Sequence, residues 1–320
     1  MRRVPLAAQR GVAIITALLL TALAVTIVAS LFWQQQVQVR SIENQRLHLQ
    51  TKWILRGALD WARLVLREDA KFSRTDTLDE PWSVSLAETR LDQYVENDRA
   101  NSDQTDATLS GRIVDAQGRF NLANLAQGGK VNPREVAVFA RLLGSLQLNT
   151  GLAQAAADTI ARAQPIAPAA SGAALTGAAA QSVAQPLKLL LVDDLLAVPG
   201  FTAPILTPLR DFVTLLPRAT PINVNTASAQ VLAARIDTLS QSDAEALVAA
   251  RKKTSFRNSA DFVALLPPGK AGDLSANDFA VATNFFIVYG KVRLNRATME
   301  MQALIERSDL TTRLIWVLDN

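Results

Sequence analysis

The residues able to carry covalent or metal chemistry are few. His48, within RLHLQ, is the one histidine in 320 residues, and there is no cysteine. A Ser-His-Asp triad needs a histidine beside a serine and a carboxylate, and a zinc site needs several histidine or cysteine ligands. A single histidine on a polar, helix-patterned stretch supplies neither and reads as a surface residue. The absence of cysteine also removes disulfides and thiol chemistry. An exported enzyme built from this chain would need a carboxylate dyad or a serine–lysine pair, and no spacing singles one out. The acidic pair Asp193-Asp194 stands in an apolar helical context and reads as a helix cap. A calcium site would need several more oxygens converging on one point.

One constellation tempts toward nucleic-acid binding: TPINVNTASAQVLAARI, Thr220 to Ile236, followed by LSQSDAEALVAARKKTSFRNSADFVALLP. It resembles helix-hairpin-helix modules of the DNA-uptake type through Asn223, Asn225, Thr226, Ala227, Leu232, Ala244, Arg251, Phe256, Asp261 and Phe262. In such modules a Gly-x-Gly hairpin turns backbone N–H groups toward phosphate at a helix N-terminus. Here the hairpin falls within RIDTLSQSD, Arg235 to Asp243, which has no glycine and carries Asp237 and Asp243. The basic run ARKKTSFR is equally well explained as an exposed helix end. The resemblance implies a fold, with Asn223, Asn225, Thr226, Arg251 and Phe256 in structural roles. Asn225 and Thr226 are expected to cap the helix that follows. Nucleic acid is not expected as a partner.

These residues must be positioned by longer elements, and the N-terminus supplies the most distinctive one. From Gly11 to Val39 there is no charged residue, and the strongly apolar part runs from Val12 to Trp33. At 1.5 Å per residue it spans about 33 Å, against a bilayer core of about 30 Å. Arg2, Arg3 and Arg10 precede it, and the positive-inside bias puts the N-terminus in the cytoplasm. Those three arginines also account for most of the net charge of +4; without them 30 basic residues face 29 acidic ones. A cleaved secretory signal is the competing reading, with Ala22 to Ala24 as its cleavage site, but the apolar run continues past that point.

The helical pattern outlasts the apolar run. No proline occurs from Val12 to Phe72, and Gly57 is the only glycine there after Gly11. Ile54, Ala58, Trp61, Ala62 and Val65 repeat at helical spacing. One helix of about sixty residues, roughly 90 Å long, is expected; the alternative is a break near Gln34 to Gln36. SRTDTLDEPWS is a loop. GRIVDAQGRFNLANLA, Gly111 to Ala126, reads as a strand at Arg112 to Val114, a turn at Asp115 to Gly118 and a strand at Arg119 to Leu122. Residues 131–150 read as a helix capped by Asn132 with Pro133 in its first turn. The Ala/Pro/Gly-rich segment 163–186 can form little core and reads as a mobile surface insertion. Short, proline-punctuated helices are expected from Lys188 to Ala282. After Thr283, FFIVYGKVRLN, ATMEMQALIERS and TRLIWVLD read as an antiparallel meander.

Two resemblances join these segments. QRGVAIITALLLTALAVTIVASLF resembles the class III signal of type IV pilins and type II secretion pseudopilins. The resemblance implies cleavage by prepilin peptidase between Gly11 and Val12, N-methylation of Val12, and retention of the helix. Most members carry glutamate at the fifth mature residue; here it is Thr16, a small hydroxyl residue of the kind that is ordinary in membrane helices. The K-type minor pseudopilins characteristically lack that glutamate. GRIVDAQGRFNLANL, LLAVPGF…LTPLRDFVTLLP and TPINVNTASAQVL look like that family's recurring segments, in the same order.

The resemblance implies an α+β, pilin-like fold. Its long N-terminal helix packs on an antiparallel sheet, and a large all-α domain, part of it helix-hairpin-helix or SAM-like, is inserted between strands. The expected divisions are a cleaved leader 1–11, the long helix 12–72 (transmembrane over 12–33), a pilin-like core from 73–127 and 283–320, and an inserted domain 128–282. The implied function is non-enzymatic: a tip subunit of a periplasmic pseudopilus, anchored in the inner membrane. Its partners would be I- and J-type minor pseudopilins and, indirectly, the major pseudopilin. Some members bind calcium on acidic loops, but no convincing ligand set is present here and no cofactor is expected. The Trp/Asp-rich segment usual in the family is replaced by the Ala/Pro/Gly stretch. The alternative is a membrane-tethered DNA receptor or minor pilin of a type IV pilus or competence system.

Overall fold

The computed structural model describes residues 10–91, 107–164, 187–270 and 274–319. The leader up to residue 9 and most of the Ala/Pro/Gly-rich segment lie outside the described residues.

A single α-helix, α1, runs from Arg10 to Phe72 without interruption. From Val12 through Arg46 it is exposed on all sides. Its last part buries a stripe at Thr51, Leu55, Leu59, Ala62 and Leu66. The spacing read from sequence is displaced by a few tens of degrees: Ile54, Ala58 and Val65 are half-buried flanks, and Trp61 is exposed. The pattern missed the face because large apolar residues occupy both sides of this helix.

The stripe packs on a five-stranded antiparallel sheet, β1 (Leu86–Arg90), β2 (Ala107–Asp115), β9 (Phe285–Leu294), β10 (Ala297–Ser308) and β11 (Thr311–Asp319), in that order across the sheet. β9 and β10 are joined by a tight turn with Asn295 at positive φ. In β9, Phe285, Phe286, Ile287 and Val288 are all buried, whereas the exposed Lys291 and Arg293 alternate with the buried Val292 and Leu294. The continuous apolar run marks where both sheet faces are covered, and the alternating run marks where only one is. Phe286, Val288, Met301, Ala303 and Ile305 face α1, with Trp82 edge-on to Phe286 at 5.3 Å. Each buried leucine of α1 contributes roughly 2 kcal/mol by area. Gly111 and Gly290 sit opposite each other on β2 and β9, where Leu55 lies over Gly290.

Residues between β2 and β9 build a second core. Its strands are two-residue pieces: β3 (Phe120–Asn121), β4 (Ala126–Gln127), β5 (Lys130–Val131), β6 (Val213–Thr214), β7 (Ile222–Asn223) and β8 (Phe279–Ala280). Its helices are α2 (Pro133–Ser145), α3 (Leu152–Ala163), α4 (Ala203–Leu209), α5 (Ala229–Arg235), α6 (Gln241–Arg251) and α7 (Ser259–Ala264). Asn132 caps α2 by accepting from Arg134 N, and Pro133 opens it. Alanines 153, 156, 157 and 161 line the buried face of α3. Phe120 stacks on Phe139 at 5.3 Å.

Phe120, Leu122, Leu125 and Ala126, expected with the sheet, pack in this second core. The expected second strand is therefore no hairpin partner of β2. It shortens to Phe120–Asn121 and pairs in parallel with β6. Asp115 and the turn after it redirect the chain, with the Asp115 carboxylate accepting from Gln117 N at 2.7 Å.

The sheet has a direction relative to α1. At the β9–β10 turn, Arg296 donates to Asn44 Oδ1 at 2.8 Å. At the other end, Arg307 donates to Leu66 O at 3.3 Å. The second core joins at this latter end, beyond the last turn of α1.

Candidate functional site

Two features stand out in this architecture, a bare apolar helix and a buried polar seam. From Val12 to Val39 the large apolar side chains of α1 are exposed, and the helix is long and apolar enough to cross a membrane. The helix begins at Arg10, so the Gly11–Val12 peptide bond lies in its first turn. Thr16 is exposed and donates its hydroxyl to Ala13 O at 3.0 Å; Thr21 and Thr26 make the same local bond. The Thr16 side chain is thus satisfied inside its own helix and offers no charge. His48 is exposed on the same helix.

The seam lies where the sheet meets the second core. Arg307, at the end of β10, is buried and lies 4.6 Å from the Phe286 ring centroid. It donates to Asp69 Oδ2 at 2.9 Å, to Asp76 Oδ1, and to the carbonyls of Leu66 and Thr283. Asp76 accepts from Thr283 N at 2.6 Å, and its own N–H donates to Val281 O at 2.8 Å. Burial pushes the Asp76 carboxyl up to about 6, although Arg307 pulls the other way. Asp115, fully enclosed, is also raised by burial. Its carboxylate accepts from Thr226 Oγ1 at 2.6 Å and from Asn223 Nδ2 at 2.8 Å. Asn223 Nδ2 reaches Asp76 O as well, at 3.0 Å. Gln117 accepts from Asn284 N at 2.7 Å.

Asp69, Asp76 and Glu80 bring carboxylate oxygens within 4.8 Å of one another, as a metal site would. Each oxygen set is engaged by the protein: the Arg307 guanidinium binds the two aspartates, and Glu80 accepts from Trp82 Nε1 and Thr77 N. Arg307 thus supplies the positive charge facing the two aspartates, and Glu80 is bonded elsewhere. Asp194 accepts from the N–H groups of Leu190 and Leu191, as a cap does, and Asp193 pairs with Arg210.

The polar constellation of residues 220–262 is brought together, and it faces inward. Asn223, Asn225, Arg251 and Phe256 are buried. Asn225 clamps Phe256 through both amide atoms, donating to its O and accepting from its N, each at 2.9 Å. Arg251 donates to Val224 O at 2.7 Å, and burial lowers its pKa to about 10. Thr226 is spent on Asp115. Neither Asn225 nor Thr226 caps the next helix: Ser228 does, accepting from Val231 N. Asparagine and threonine just ahead of a helix look like caps, yet here their side chains have long-range partners that sequence spacing does not show.

The turn between α5 and α6 falls where the hairpin was expected. At the N-terminus of α6, Asp243 closes a capping box with Ser240. Its hydrogen bond with Lys270, followed by those from Ser240, holds the carboxyl down at about 2. The position where such a module would offer N–H groups to phosphate therefore presents a carboxylate. Sequence reading also missed Asp69, Asp76, Asp115, Gln117 and Arg307. Asp115 and Arg307 gave a signal as charges at the ends of apolar strands; Asp69 in α1, Asp76 in the loop after it and Gln117 in the turn after β2 gave none.

Comparison with known proteins agrees with this architecture. Two family models described as type II secretion system protein K match, one over residues 118–218 and the other over 222–282. Both ranges lie in the second core. The type II secretion system protein K of Pseudomonas aeruginosa PAO1 is 32% identical over 316 residues, covering 93% of this chain and 89% of the relative. Among solved structures, a chain of the GspK-GspI-GspJ complex of the enterotoxigenic Escherichia coli type 2 secretion system superposes with a TM-score of 0.64 at 19% identity. That match covers 87% of this chain and 98% of the other and establishes likeness of fold.

Proposed function

The chain belongs to the type II secretion system protein K family, and from that membership we propose that it caps the tip of a periplasmic pseudopilus. It is a minor pseudopilin anchored by α1, and the DNA-receptor alternative is not favoured. The proposed role is structural, with no catalysis. The N-terminus lies in the cytoplasm and residues beyond α1's apolar segment lie in the periplasm. Prepilin peptidase cuts between Gly11 and Val12, Val12 is N-methylated, and the inner membrane holds the helix until assembly.

One observation carries the tip assignment: the second core is attached at the end of the sheet farthest from the apolar segment, at Asp76 and Thr283. We read residues 116–284 as a domain inserted between β2 and β9, its α5–turn–α6 part helix-hairpin-helix or SAM-like. In that position its bulk obstructs a further subunit above. Thr16 supports the same placement. A carboxylate at that position would seek the ammonium of a subunit ahead, and a threonine bonded to Ala13 O asks for none. I- and J-type minor pseudopilins are the proposed direct partners, with the major pseudopilin below them.

Two measurements test this reading. Mass spectrometry of the membrane-extracted protein should give a mature N-terminus at methylated Val12; any other start refutes the processing. The chain has no native cysteine, so single cysteines on residues 116–284 allow clean disulfide trapping. They should stay uncaptured by pseudopilins, whereas cysteines on α1 are captured. Capture all around the second core places the subunit in the shaft and refutes the tip role.

A further inference from the structure

The soluble half of α1 keeps a solvent-facing stripe that its own fold does not explain. At 100° per residue, Trp53, Gly57 and Leu64 lie about opposite the buried leucines 55, 59 and 66, with Leu49 and Trp61 beside them. Trp53 is 68% exposed and Trp61 56%. Gly57 stands four residues from each, and a Cβ added there would meet nothing within 4 Å. Glycine inside a helix costs about 1 kcal/mol relative to alanine. Among the described residues no turn and no neighbouring group requires it. The result is a notch: bare helix backbone as its floor, an indole on each side. Such a notch lets a second helix approach closely or lodge a large side chain.

Arg56 flanks the notch, Arg46 lies further back along the same helix, and Asp60, on the same face, is held by Arg63 at 3.1 Å. Among the described residues no carboxylate engages Arg46 or Arg56, whereas Lys52, Arg63 and Lys71 are each paired. Arg56 lies 6.0 Å from the Trp53 ring centroid. Exposed tryptophan and arginine at the centre of a patch are the residue types that dominate binding energy. A lipid surface is the wrong occupant, because the helix axis rises roughly 36 Å from Trp33 to Gly57 and carries the notch far past the apolar core. The stripe instead continues the exposed apolar run of the same helix.

We infer that Trp53, Gly57 and Trp61 seat a helix of a neighbouring pseudopilin, one that brings a large apolar side chain to Gly57 and carboxylates to Arg46 and Arg56. This rests on the minor-pseudopilin reading above and specifies which face of α1 does the joining. Because the notch is open in the free chain, filling it separates assembly from folding.

The test co-expresses the full chain with I- and J-type pseudopilins and measures their recovery after detergent extraction and affinity purification. Gly57→Leu and Gly57→Ala should leave the melting temperature of the isolated chain unchanged or raised. Gly57→Leu should reduce partner recovery at least about tenfold, Gly57→Ala less, and Trp53→Ala by a similar factor to Gly57→Leu. Arg56→Glu should weaken recovery while leaving the melting temperature in place. Wild-type recovery by both Gly57 variants overturns the notch and leaves the minor-pseudopilin reading standing. Failure of the wild-type chain to recover either partner overturns that reading and the notch with it. A Gly57→Cys chain that crosslinks to a second copy of itself and to no partner also overturns the inference.

Discussion

The sheet core and the second core are held together by different means. The first is made of long elements whose apolar periodicity does the work: one helix stripe, three long strands and a tryptophan against a phenylalanine. The second is made of helices of 6 to 13 residues and strands of two, so little of its backbone is satisfied by regular ladders. Buried side-chain amides, carboxylates and guanidinium groups supply the missing partners. Asn121 holds Arg218 O and Leu216 N, Asn225 holds Phe256, and Arg235 binds both Glu135 and Asp278. Short elements can make a stable core provided that polar side chains close the hydrogen-bond account that helices and strands normally close themselves.

The contrast can be broken most severely at the seam. Arg307→Met leaves Asp69 and Asp76 without their cation and should cost roughly 3–5 kcal/mol. Because Arg307 serves both cores, thermal unfolding should show the two losing stability together. Asn225→Ala should be more local. It orphans the N–H and carbonyl of Phe256 at about 3 kcal/mol. Hydrogen exchange should quicken in residues 222–264 while β9 and β10 stay protected.

The third prediction concerns pH. Asp76 in the folded chain holds its proton up to about pH 6, above the ordinary carboxylate value of 3.8. Between those values the folded state binds more protons than the unfolded one, so stability falls as pH rises through that window. Asp115 and Asp69, also raised, act in the same sense. Glu306 acts oppositely. Hydrogen bonding by Arg218 lowers its pKa, so its contribution fades as pH falls below the ordinary range. The melting temperature should therefore drop as pH rises from about 4 to about 6, and Asp76→Asn should flatten that slope. A smaller effect is expected at Ser228→Ala, about 1 kcal/mol from loss of the α5 cap, with hydrogen exchange rising in the first turn of α5 alone.

The same contrast decides what could be read in advance. The unbroken helix followed from the missing prolines, and the strands of the meander followed from runs such as FFIVYGKVRLN, because both depend on local periodicity. The polar constellation was found as residues but misassigned in part. Asn225 and Thr226 look like caps locally, and only tertiary structure shows that Phe256 and Asp115 claim them. Asp76 and Arg307 are separated by 231 positions, so their pairing leaves no local trace. The buried face of α1 was blurred because Trp53, Trp61 and Leu64 add apolar character on the side that its own fold leaves bare.

The unbroken course of α1 has a mechanical consequence. Sharp kinks arise at proline, at helix bulges or where a side chain inserts into the ladder; no proline interrupts these 63 residues. The clamps that fasten the head to it, at Asn44, Lys52, Arg63 and Leu66, are spread along the axis and lie across it. A thrust applied to the head therefore loads several lateral bonds in shear at once, and travels to the apolar end through a strut with no compliant joint. Head and anchor move as one piece, so a displacement of the head along the axis of α1 is, residue for residue, a displacement of its apolar segment.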